Sequence, residues 1–116
     1  MLGAAGLLKG YKATSHWVAL DVLSSLGATP TKARVVEDRN RITAAGVSAG
    51  IDYALVVAAK LSGERYAKAL QLNIEYDPQP PFDAGSPASA PAAVVDFLRA
   101  ASRFAQEGEA EAVLSE

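Results

Sequence analysis

The chain has 116 residues, a formal net charge of −2 and no cysteine. That length holds one modest core, and the charge offers no general attraction to nucleic acid or an anionic membrane surface. Without cysteine there are no disulfides, no thiolate metal ligands and no thiol nucleophile within these residues.

Residues Leu2 to Leu8 are compatible with a helix stopped by Gly10. A helix beginning at the first residue has neither a cap nor an incoming turn. This is one reason to expect an amino-terminal half that lies outside the sequence. Lys12 to Trp17 reads as a short strand. A helix follows from about Val18 to Leu26, with Ala19, Val22, Leu23 and Leu26 on one face and Gly27 as its terminator. Thr29-Pro30-Thr31 reads as a turn. Arg34–Glu37 and Arg41–Ala45 read as two strands around the polar turn Asp38-Arg39-Asn40.

The segment from Gly46 to Gly50 leads into a helix from about Ala49 to Leu61, with Ile51, Leu55, Ala58 and Ala59 toward a core. Ser62-Gly63 breaks it. Another helix runs from about Glu64 to Glu75, with Tyr66, Leu70 and Ile74 at helical spacing. Three prolines in Asp77–Phe82 rule out helix or central strand, because they remove backbone donors and fix φ. Pro91 suits the first position of a last helix striped by Val94, Val95, Leu98, Ala101 and Phe104. Residues 1–106 are expected to form one domain segment, and 107–116 an acidic tail. No stretch approaches the roughly 20 apolar residues that cross a bilayer, and neither a signal peptide nor a basic run is evident. A cytoplasmic protein without membrane or nucleic-acid partners is the expectation.

Strands alternating with helices imply an α/β chain with a largely parallel sheet flanked by helices. About three short strands are few for so many helices, which again suggests a partial layer. An exposed edge would then favour a homo-oligomer or a complementing amino-terminal half.

His16, the sole histidine, falls at the carboxyl end of a predicted strand, where open α/β sheets gather ligands. It suits acid–base or hydrogen-bond chemistry, or equally local hydrogen bonding and packing beside Trp17. The acidic residues show no ligand-like spacing, so neither metal nor cofactor is expected. Gly46-Val-Ser-Ala-Gly50 fits the nucleophile-elbow pattern in a strand-to-helix setting. The alternative is a glycine-flanked helix start with Ser48 as its cap, and this is the preferred reading over a serine hydrolase. Asp77, Pro78, Pro80, Pro81 and Phe82 form a stiff arm with an aromatic tip, suited to a pocket rim, an interface or a linker.

Three segments, LGAAGLLKGYKATSHW, ARVVEDRNRITAAGVSAGIDYAL and QLNIEYDPQPPFDAGSP, resemble the carboxy-terminal part of the ThiJ/PfpI family in the class I glutamine amidotransferase-like superfamily. The third is the more distinctive for the isonitrile hydratase branch. The resemblance implies a flavodoxin-like sandwich, commonly dimeric. It also implies a nucleophilic cysteine on a turn ahead of the first helix, and conversion of an isonitrile to an N-substituted formamide. His16 matches the histidine near that cysteine in relatives, in an auxiliary role. With no cysteine, these residues alone are expected to be inactive, or to act as a non-catalytic interaction module.

Overall fold

The computed structural model describes residues 1–102. The predicted acidic tail and Phe104 lie outside the described residues. Two compact units are present, residues 1–79 and the segment from Pro80 onward.

The first unit opens as successive turns, not as the expected helix at 2–8. Gly6 and Gly10 both take positive φ, 76° and 77°, a conformation that cannot continue a right-handed helix. Leu8 from this segment is nevertheless buried, in a small cluster with Ala13, Leu20, Leu23 and Ala28.

Strand β1 is only Lys12–Ala13, shorter than the predicted Lys12–Trp17. At Thr14 the backbone leaves the ladder: its amide donates to Thr43 Oγ1 at 2.9 Å, and its hydroxyl donates to the Ala33 carbonyl at 2.9 Å. The predicted helix at 18–26 is split into a 3-10 turn, Trp17–Ala19, and a short helix α1, Val22–Ser25. Two valines in so short a run lower helical propensity, and one or two turns hardly cover the cost of nucleation. Leu20 and Leu23 are its buried residues, while Val22 is exposed. Gly27, with φ 79°, ends the segment as expected.

Thr29–Pro30 is strand β2, paired parallel with β1 in the register Lys12↔Thr29 and Ala13↔Pro30. The reading of this tripeptide as a turn fails on the alternation of a strand. Thr29 and Thr31 donate their amides to Tyr11 and Ala13 carbonyls, both at 2.8 Å. The intervening Pro30 directs its donor-less nitrogen to the other side, where a ladder bond is not required. The β1–α1–β2 arrangement is thus a short parallel crossover.

Strands β3, Val35–Asp38, and β4, Arg41–Ala44, form the expected antiparallel hairpin. Its loop is Arg39-Asn40, and Arg39 takes φ 53°. Local contacts hold this unusual conformation in place. The guanidinium lies 3.7 Å from the centre of the Tyr11 ring and donates to the Gly10 carbonyl at 2.7 Å. Asp38 is the second anchor, accepting the Lys12 amide at 2.8 Å. That amide, then Arg39, holds the Asp38 carboxyl below the usual carboxylate range. The hairpin is therefore fastened to β1 by side chains reaching backbone.

Helix α2 spans Ala49–Ser62 and α3 spans Glu64–Asn73, separated by Gly63 at φ 87°. Lys60 pairs with Glu37 and Arg34 pairs with Asp52. Eight helical residues rise about 12 Å, close to the roughly 10 Å covered by three strand residues. Two ion pairs in matching order therefore lay α2 alongside β3, running the same way. Ala49 is buried under it, whereas Ile51, expected toward a core, is exposed. Tyr66 and Ile74 of the next predicted stripe are exposed as well. Apolar periodicity marks faces suited to burial, and four short strands offer too little sheet to cover them all.

The second unit contains irregular chain and then helix α4, Ala92–Ala100, immediately after Pro91. Val94, Phe97 and Leu98 are exposed along it. Among the described residues no helix is long and apolar enough to cross a membrane.

Candidate functional site

The carboxyl end of β1 leads through Thr14 and Ser15 to His16, which caps the 3-10 turn. Its Nδ1 accepts the Val18 amide at 3.3 Å. The His16 and Trp17 rings are 5.7 Å apart and tilted by 33°. His16 is exposed and Trp17 half-buried, so the histidine is more open than the partly buried, locally bonded alternative supposed. The imidazole also reaches the loop before α2, where a Cβ on Gly46 would stand 3.3 Å from its Cδ2. The Gly46–Gly50 motif and the histidine are thus neighbours, a juxtaposition that spacing in the sequence does not announce.

Ser48 sits at the N-terminal boundary of α2 and is exposed. Its backbone is ordinary right-handed, φ −67° and ψ −26°, and its side chain makes no capping hydrogen bond. The expectation of a serine cap is therefore corrected. With Ser48 already in helical geometry, its side chain is not set to reach the amides it would have to accept from. The same relaxed backbone lacks the strain of a nucleophile elbow. Among the described residues the His16 side chain hydrogen-bonds to Val18 and not to Ser48, so no serine–histidine pair is assembled there.

The remaining candidates divide between the units. Asp77 and Pro78 lie near the end of the first, and Asp77 accepts from Gln79 Nε2 at 3.3 Å. Pro80, Pro81 and Phe82 open the second, with Phe82 exposed. No group of three or more potential metal ligands occurs among the described residues.

A polar cluster that the sequence reading took apart joins Arg34, Asp52 and Tyr76. Asp52 Oδ2 receives Arg34 Nε at 2.5 Å, and its Oδ1 receives the Tyr76 hydroxyl at 2.8 Å. Burial alone would raise the Asp52 carboxyl, but the bonds from Arg34 and then Tyr76 outweigh it and hold its pKa below the ordinary value. The bond to Asp52 correspondingly raises Tyr76. A carboxylate with a depressed folded pKa adds stability above its unfolded value and loses it as pH falls through the folded value. Asp52→Asn is expected to cost about 1 kcal/mol at neutral pH, small because Arg34 is well exposed to screening water. The difference from wild type should shrink as pH drops below about 4, measurable by urea titrations across that range.

The profile of the DJ-1/PfpI family matches residues 1–60. An isonitrile hydratase from Pseudomonas putida is 56% identical over 99 residues, which is 85% of this chain and 43% of that protein. A crystal structure of a THiJ/PfpI family protein from Pseudomonas syringae superposes with a TM-score of 0.81 at 60% identity, over 84% of this chain and 40% of the other. A cysteine-to-alanine mutant of a DJ-1 superfamily protein from Salmonella typhimurium gives a TM-score of 0.55 at 33% identity, over 67% of this chain and 41% of its own. The chain therefore spans less than half the length of these relatives. The likeness to solved structures accords with the expected partial flavodoxin-like α/β layer.

Proposed function

The chain belongs to the DJ-1/PfpI family, and on that premise we propose that these residues form the carboxy-terminal part of an isonitrile hydratase-like enzyme. The observation that supports this reading is the high identity to isonitrile hydratase along most of the chain. An isonitrile carbon is attacked by a strong nucleophile, and a thiolate supplies one near neutral pH. Thiol addition gives a thioimidate. Water then adds to its carbon and the thiol departs, leaving the N-substituted formamide, so that one water is consumed per isonitrile. The 116 residues contain no cysteine, and alone they are expected not to turn over. We place the protein in the cytoplasm and expect it to be dimeric.

The purified chain incubated with an alkyl isonitrile should yield no formamide above buffer by proton NMR. Co-expression with the amino-terminal half of a related isonitrile hydratase, carrying the cysteine, should bring turnover. Turnover by the chain alone, or none from a stable assembled pair, would refute the reading.

A non-catalytic association module is the second reading. Val47, Leu61 and Leu72 are 97%, 81% and 83% exposed, apolar surface that association with another chain would remove from water. A monodisperse monomer by light scattering at high concentration would count against it.

A further inference from the structure

His16 is the only histidine of the chain, and its ring is constrained on two sides. The Val18 amide donates to Nδ1 at 3.3 Å. On the other side, Cδ2 lies over Gly46, where an added Cβ would come within 3.3 Å. Gly46 does not have the positive φ found at Gly6, Gly10, Gly27 and Gly63. Its backbone therefore does not require glycine, and the clearance for the imidazole is what the missing side chain provides.

A backbone N–H is an obligatory donor. The imidazole nitrogen that accepts it carries no proton, so the neutral ring holds its proton on Nε2. To act as a base through Nε2, the ring would need its proton on Nδ1, setting one N–H against another. We propose that His16 serves as a fixed Nε2–H hydrogen-bond donor rather than a base, with Gly46 and the Val18 amide as its positioning elements. Resting on the isonitrile hydratase-like reading, this assigns the donor to a lone pair developing on the substrate nitrogen. His16 is exposed, and its one hydrogen bond among the described residues uses Nδ1 and not Nε2.

The test uses the full chain labelled with nitrogen-15, at a pH where the imidazole is neutral. Wild type should show the ring proton on Nε2 and a nitrogen–nitrogen coupling across the hydrogen bond from Val18 N to His16 Nδ1. Gly46→Ala should reduce that coupling at least about twofold and shift the ring Cδ2 resonance, leaving the hairpin amides unchanged; no backbone strain confuses the comparison. A proton on Nδ1 in wild type, absence of the coupling, or its full retention in Gly46→Ala would overturn the proposal. Should Gly46→Ala fail to fold, the wild-type coupling still decides. A reconstituted enzyme that is inactive while the coupling is present refutes only the functional reading. An active one without the coupling refutes only this inference.

Discussion

Thr43→Val should lower the free energy of unfolding by about 1–3 kcal/mol, although valine matches threonine in shape and favours strands. The Thr14 amide has left the β1 ladder, and Thr43 Oγ1 is its acceptor at 2.9 Å, in a buried position. Both threonines are almost wholly shielded from water. Removing the hydroxyl strands a buried amide, the costly side of the hydrogen-bond asymmetry. Thr14→Val is the informative control. It deletes the hydroxyl bond to the Ala33 carbonyl but keeps the amide bond, so it should cost only about 1 kcal/mol. Urea unfolding of both variants, with unchanged m-values, gives the comparison. If Thr43→Val proves the milder of the two, water must reach the Thr14 amide and the buried bond does not hold the hairpin.

The hairpin itself was legible because two β-rich runs flank the polar turn Asp38-Arg39-Asn40, and nothing else competes for that pattern. Helix α2 was equally plain, since Ala49–Ser62 combines apolar periodicity with a glycine stop. The amino-terminal helix was misread because apolar content at 2–8 outweighed Gly6 and Gly10, whose positive φ is a conformational fact that letters do not carry. Thr29-Pro30-Thr31 was misread for a related reason. Proline is excluded from strands only where its nitrogen must donate, and which way that nitrogen faces depends on the partner strand.

For the candidate site, His16 was found by its type and its place after a strand. Its neighbour Gly46 lies thirty positions on, and no local signal pairs the two. The Arg34–Asp52–Tyr76 cluster was missed likewise, because it joins the residue before β3, the first turn of α2 and the residues after α3. Such contacts follow from how α2 lies along β3, which emerges only after the ion pairs at both of its ends are known. Ser48 is the reverse case: the motif was visible, and its backbone geometry removes the chemistry that the motif suggests.

Ala13→Leu is expected to destabilise the first unit by about 1–3 kcal/mol through overpacking. Ala13 is 0% exposed and lies among Leu8, Leu20, Leu23 and Ala28. Its strand also pairs closely with β2, the Thr31 amide meeting the Ala13 carbonyl at 2.8 Å. Extra methylenes there must push against α1 or against the parallel pair, and neither can yield without losing hydrogen bonds. Ala13→Gly removes a single methyl from the same spot and should cost about 1 kcal/mol, partly from added backbone freedom in the unfolded chain. Thermal unfolding of the two variants ranks these effects. The same substitution probes the reading of the chain as a piece of a larger enzyme. When the cluster is already closed, Ala13→Leu is harmful both alone and in the assembled pair with a complementing half. When the cluster has slack that only a complementing half fills, Ala13→Leu is tolerated in the isolated chain and harmful on assembly. The packing around Ala13 predicts the first pattern.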